Sequence, residues 1–335
     1  MQHTLQSSFS LSGKGLHTGL HLTVTFHPAD EDHGYRIRRV DLEGQPEIVP
    51  LAENVIDTSR GTVVGTPDCR VSTIEHAMAA LVAMGVDNCL IEVDGPEFPI
   101  LDGSSVLYVR EIQRVGLREQ QAERRYLEVV EPFEYYDEIS GSCLRVQPCD
   151  HFALDSTIVF PDSQFIQTQS AVLEHLSDFP EEIASARTFV FVREIEPLLH
   201  MGLIKGGDLS NALVIYERRV DQARLDKLSD SLGVKHLDAN QLGYIQERPV
   251  TWENEPARHK LLDIIGDMAL IGRPLKGRRP RAARRTQGRQ GRRVEQAQRA
   301  PHPEAARQAR GHGRRSAGSP AGSGHGVLAV QRRGR

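Results

Sequence analysis

Residues 258–270 read RHKLLDIIGDMAL, and the placement of this stretch decides the fold. Apolar residues at 261, 262, 264, 265, 268, 269 and 270 mark a buried helix, yet His259, Asp263 and Asp267 recur at four-residue spacing. Four residues advance a helix by about 400°, so each returns to nearly the same face about 6 Å further along. His259 and Asp263 can therefore share one small object. The same spacing also suits a solvent-facing acid with a first-turn ion-pair partner, so spacing alone leaves both readings open.

Working outward, the helix runs from about 255 to 271, ended by Gly272 and Pro274. Upstream, YLEVVEPFEYY (126–136), CLRVQP (143–148), FALDSTIVF (152–160) and NALVIY (211–216) read as strands, and REIEPLLHMG (193–202) as a short helix. The first part of the chain repeats this plan. LHLTVTF (20–26) and YRIRRV (35–40) alternate as strands do, then STIEHAMAALVAMG (72–85) forms a helix with a Ser72 or Thr73 cap. Glu75 stands in the capping-box position of that helix. A strand at 88–93 and a helix at 104–116 close the unit. Both regions thus place polar groups near the start of an apolar helix, Glu75 and His76 in one, His259 and Lys260 in the other. The expected fold is α+β: two related halves, 1–125 and 126–277, each an antiparallel sheet with helices, packed with the active site at their interface.

Composition narrows the function classes. At 335 residues the chain can bury a substantial core. It opens on MQHTLQSSFSLSGKG, with no sustained apolar run, and no segment reaches the length of a membrane span, so a cytoplasmic protein is expected. Its four cysteines form no C-x-x-C pair, which argues against a thiolate zinc centre or a disulfide framework. The net charge of −4 hides a division. Residues 278–335 hold 16 Arg, no Lys, no Asp and two Glu, whereas residues 1–277 carry 25 basic and 43 acidic side chains. With little apolar periodicity, the segment 278–335 is expected to be a disordered basic tail.

In order along the chain, SGKGLHTG (12–19), STIEHAMAAL (72–81), VDGPEFPILDGSS (93–105), SARTF (185–189), KGGDLSNALV (205–214) and RHKLLDIIGDMALIG (258–272) resemble the UDP-3-O-acyl-N-acetylglucosamine deacetylases, zinc amidases of lipid A biosynthesis. The wording of the first part is similar to the variety fused to a 3-hydroxyacyl-[acyl-carrier-protein] dehydratase. The resemblance implies zinc, with ferrous iron as an alternative, held by His76, His259 and Asp263; two imidazoles and a carboxylate leave a position for water, as hydrolytic sites require. It makes Glu75 the general base, beside the bland reading of Glu75 as a helix cap. Thr188 would stabilise the developing oxyanion, Phe189 would line the cleft and Lys260 would meet the nucleotide diphosphate. The run FVFVREIEPLLHMGLI would border a passage for the acyl chain. SGKGLHTG lacks the P-loop pattern and no H-E-x-x-H occurs, so neither nucleotide hydrolysis nor a zincin is indicated.

The resemblance breaks near residue 278. Asp267 would orient a second acid-base histidine expected near position 286, where the chain has Thr286. The SGHG at 323–326 lies about forty residues late and is read as coincidence. A change of reading frame near codon 278 accounts for the break, and the second half is then expected to lack its last strand and helix. The implied activity is hydrolysis of the N-acetyl group of a small-molecule UDP-sugar, with no specific nucleic-acid partner. The alternative is a non-catalytic metal-binding relic whose basic tail attaches to nucleic acid or anionic surfaces.

Overall fold

The computed structural model describes residues 1–279 except 67, 139–140 and 201–204. The expectations for the tail, including Thr286 and the SGHG segment, lie outside the described residues.

The first large sheet takes β1 (Phe9–Lys14), β2 (His21–Pro28), β3 (Tyr35–Arg39) and β4 (Glu47–Ile48) from before helix α1 (Glu75–Ala83), which leads into β5 (Cys89–Val93) and α2 (Val106–Val115). The sheet order is β1-β2-β5-β3-β4, so the strand that follows the helix inserts in the middle. Beyond it come β6 (Leu127–Glu128), the hairpin β7 (Phe133–Tyr136) and β8 (Cys143–Val146), and then β9 (Phe152–Val159) and β10 (Thr168–Leu173). Next are β11 (Phe189–Phe191), α3 (Val192–His200), β12 (Leu213–Tyr216), α4 (Gln222–Leu232) and β13 (Gly243–Ile245). The long helix α5 (Glu255–Ala269) and β14 (Leu275–Arg279) complete the described chain. A second sheet has the order β6-β14-β9-β10 and a third the order β11-β12-β13.

Several expectations are corrected. The sheets are mixed rather than antiparallel: β5 runs parallel to β3, and β14 parallel to both β6 and β9. A strand reached through a helical crossover can return in the same direction, which a tight hairpin cannot achieve. YLEVVEPFEYY is two strands in different sheets, split where Pro132 has no N–H to give to a ladder. The strand expected to be missing after α5 is present as β14, hydrogen-bonded on both sides. Helix α4 adds to the elements expected from the sequence: Asp221 caps it by accepting the Arg224 N–H and Gly233 ends it in the left-handed region.

One apolar core runs through both sheets, with Phe26, Met78, Leu81, Ile91, Tyr108, Leu154, Leu173, Leu261, Leu262 and Ile265 all buried. A separate cluster under the third sheet joins Ile195, Val214, Tyr216 and Leu225. Helix α1 is buried throughout its first seven residues, so it needs no polar face. It packs directly on α5, where Gly266 gives it room: a Cβ there would stand 2.1 Å from the Glu75 carbonyl oxygen. That close crossing brings the polar starts of the two helices together.

Candidate metal centre

The polar stripe of α5 faces inward. His259 and Asp263 are buried, and so are Glu75 and His76 at the start of α1. Asp263 Oδ1 lies 3.3 Å from His259 Nε2 and 3.8 Å from His76 Nε2, and the two imidazole rings stand 5.0 Å apart at 88°. The three donor atoms fall within 4.8 Å of one another. Burial weighs against an ion pair of His259 with Asp263. Burial pushes His76 down to about 3, and lowers His259 as well, so both rings are neutral near pH 7.

His259 Nδ1 sits 3.0 Å from the Ala186 carbonyl oxygen. A carbonyl can only accept, so Nδ1 carries the proton and Nε2 presents a lone pair to Asp263. The His259 lone pair and the Asp263 oxygen thus face the same space beside His76, as ligands of one cation do. Two imidazoles and a carboxylate fit a divalent metal such as zinc or ferrous iron. The other oxygen of Asp263 accepts from Lys260 Nζ at 2.8 Å, and that ammonium also stands 5.7 Å from the centre of the Phe189 ring.

Glu75 adjoins the ligands without belonging to the convergent set. The expected capping box is absent: the helix begins at Glu75 itself, no side chain caps it, and Thr73 Oγ1 bonds Glu97 instead. Thr73 has a φ of 60°, a left-handed conformation that turns the chain sharply into α1. The Glu75 carboxylate accepts the Thr62 N–H at 3.2 Å. Burial first, and the nearby Asp263 second, push its pKa up to about 8. Asp267, one turn beyond Asp263, accepts the Thr62 hydroxyl at 2.7 Å and is pushed up to about 7, chiefly by burial. Thr62 therefore holds both carboxylates, and nothing in the sequence around it signals that role.

The segment 184–189 supports the site from the other side. Ala186 orients His259, and the Arg187 guanidinium forms a buried pair with Glu255, the first residue of α5, at 2.9 Å. Thr188 is fixed through its backbone to Gly103 and Leu213, and the Phe189 ring lies 6.4 Å from that of His259. Arg187 stood within a recognised motif, but its partner 68 residues away was not legible. The SGKGLHTG loop wraps a protein carboxylate: Glu97, fully buried, accepts the N–H groups of His17 and Thr18 and the Thr18 hydroxyl at 2.7–3.0 Å.

The family model for UDP-3-O-acyl N-acetylglycosamine deacetylase matches residues 2–239 and 236–284. The bifunctional enzyme LpxC/FabZ of Bacteroides thetaiotaomicron is 59% identical over 277 residues, covering 83% of this chain and 60% of that protein. That of Porphyromonas gingivalis is 58% identical over the same length. The UDP-3-O-acyl-N-acetylglucosamine deacetylase of Myxococcus xanthus is 40% identical over 277 residues, 82% of this chain and 80% of that protein. The chain thus spans about 60% of the length of the bifunctional relatives. Among the described residues no helix is long and apolar enough to cross a membrane.

Proposed function

The chain belongs to the UDP-3-O-acyl N-acetylglycosamine deacetylase family, and from that premise we propose that it hydrolyses the N-acetyl group of a UDP-3-O-acyl-N-acetylglucosamine to the free amine and acetate, in lipid A biosynthesis. The observation that carries the reading is the buried convergence of His76, His259 and Asp263 beside a carboxylate held at high pKa. In this reading the chain is two related halves, each contributing one helix start to the site between them.

His76, His259 and Asp263 would hold the divalent metal. Such an ion supplies Lewis acidity and makes water a nucleophile near neutral pH. Glu75 takes the proton of the attacking water, as a carboxylate beside the ligands that is not itself one of them. The Thr188 hydroxyl donates to the oxygen that gains charge as the carbonyl becomes tetrahedral. Phe189 gives an apolar wall beside His259. Lys260 neutralises Asp263 and offers a flexible ammonium to the diphosphate. Asp267, held by Thr62, is the carboxylate that would orient a second acid-base histidine.

The test is acetate release from UDP-3-O-acyl-N-acetylglucosamine by the metal-loaded chain, with His76→Ala as the control. Metal-dependent acetate above that control is expected. A chain that binds one metal at this site yet releases no acetate overturns the activity while leaving the site intact.

A further inference from the structure

A second group of nitrogen and sulfur ligands converges away from the site above, at one end of the β9–β10 hairpin. Cys149, Asp150 and His151 lead directly into β9, while His175 lies just beyond the end of β10. The antiparallel register, with Leu154 opposite Leu173, returns His175 to the start of β9. Cys149 Sγ lies 3.5 Å from His151 Nδ1 and 3.7 Å from Asp150 Oδ1. Asp150 Oδ1 is 2.6 Å from His151 Nδ1. The His151 and His175 rings stand 4.7 Å apart, close to the 5.0 Å between the rings of His76 and His259.

Zinc binds sulfur at about 2.3 Å and imidazole nitrogen at about 2.0–2.1 Å in a tetrahedron, so a ligated sulfur and nitrogen are about 3.5 Å apart. The separation of Cys149 and His151 already has that value. Cys149, Asp150 and His151 bring donor atoms within 4.8 Å of one another, and the fold sets the His175 ring beside them from another strand. Asp150 and His175 are exposed and Cys149 and His151 half-buried, so a cation can enter without unfolding the hairpin.

The geometry points to a second metal site, taking a borderline-soft divalent cation such as zinc, with Cys149, His151 and His175 as ligands and Asp150 as the fourth. A sulfur and two imidazoles disfavour calcium and magnesium, which prefer oxygen. Binding expels the thiol proton, and His151 ligates through Nδ1 as a neutral imidazole with its one proton on Nε2; no other bond is made or broken. The ion would fasten the two ends of the hairpin together beside β14, whose Gly277 N–H bonds the His151 carbonyl at 3.1 Å. The site is independent of the proposed activity.

Cobalt titration of the metal-stripped full chain distinguishes the two centres, because the first contains no sulfur. A thiolate-to-cobalt charge-transfer band in the near ultraviolet should grow to one equivalent, and zinc should bleach it. It should persist undiminished in a His76→Ala, His259→Ala double variant, which removes the first centre without touching the second. Cys149→Ser should abolish the band while leaving one cobalt equivalent bound elsewhere, which also shows that this variant is folded. His175→Ala should weaken the site at least tenfold. No thiolate band, a band that survives Cys149→Ser, or an affinity unchanged by His175→Ala would each overturn the proposal.

Discussion

Replacing Gly266 by Ala adds one methyl group at the crossing of α1 and α5. Its Cβ would stand 2.1 Å from the Glu75 carbonyl oxygen and 2.8 Å from the carbonyl carbon, whereas real contacts hardly fall below 3.0 Å. The neighbours are backbone, not the end of a flexible side chain, so the helices must part by nearly 1 Å to restore 3.0 Å. Two stability effects oppose each other. Alanine improves helix propensity by about 1 kcal/mol, and overpacking a close-packed interior costs about 1–3 kcal/mol. The net loss is at most about 2 kcal/mol, a fall of roughly 4–8 °C for a domain of this class.

The effect on the site is larger than the effect on the fold. Glu75 and His76 ride on α1 and His259 and Asp263 on α5, so the separation opens the ligand set itself. A misplacement of about 1 Å can cost roughly 10²-fold in rate. Urea denaturation, chelator competition for the bound metal and acetate release measure the three consequences on one preparation. A Gly266→Ala variant at least as stable as the parent, with unchanged metal affinity, would refute the reasoning, since propensity would then have won and the crossing would not be tight.

Arg187→Met should cost about 3–5 kcal/mol because it leaves Glu255 charged and buried, while Arg187→Met with Glu255→Leu should recover most of that stability in urea melts but still bind metal weakly, since the pair fixes the segment that orients His259; parent-like metal affinity in the double variant would reduce the pair to packing. In metal-free protein Glu75 has a folded pKa near 8 against an ordinary 4.5, so its uncharged form is favoured by folding and the benefit is lost as pH rises through that window. Glu75→Gln should therefore gain on the parent by up to about 1.4 kcal/mol per pH unit between pH 6.5 and 8, where both histidines stay neutral; parallel stability curves would contradict the assigned burial. Ala at His76, His259 or Asp263 should sharply lower metal content, whereas Glu75→Gln should keep the metal and lose about 10²- to 10⁴-fold in turnover; full turnover by that variant would remove Glu75 from the chemistry. Resequencing around codon 278, followed by expression of the alternative frame after Gly277, should reveal a glycine-histidine motif about nine residues on and raise turnover by roughly 10²- to 10⁴-fold; a frame without that motif ends the explanation.

The helices that carry the site were legible because their signals are local. The apolar run of 258–270 and that of 72–85 each appear as α5 and α1, within a few residues of the expected limits. His259 and Asp263 share a face for the same reason, since four-residue spacing is a property of any helix. The capping box failed because the chain turns sharply at Thr73 before α1 begins, and because a second carboxylate, Glu97, already holds the Thr73 hydroxyl.

Sequence by itself showed that His259 and Asp263 can share one small object and which segments would be helical, because helical period is written in nearby residues, whereas His76 joined them only through the family resemblance. It could not choose between an exposed ion pair and a buried ligand set, since that depends on what α5 packs against. Tertiary structure supports the second by burying the three side chains together. The Gly266 crossing brings side chains from distant parts of the chain together and buries them, which lowers the histidines and raises the pKa of Glu75. Thr62, the Ala186 carbonyl and the Arg187–Glu255 pair became visible only then, because a hydrogen bond between residues far apart in sequence leaves no periodic trace.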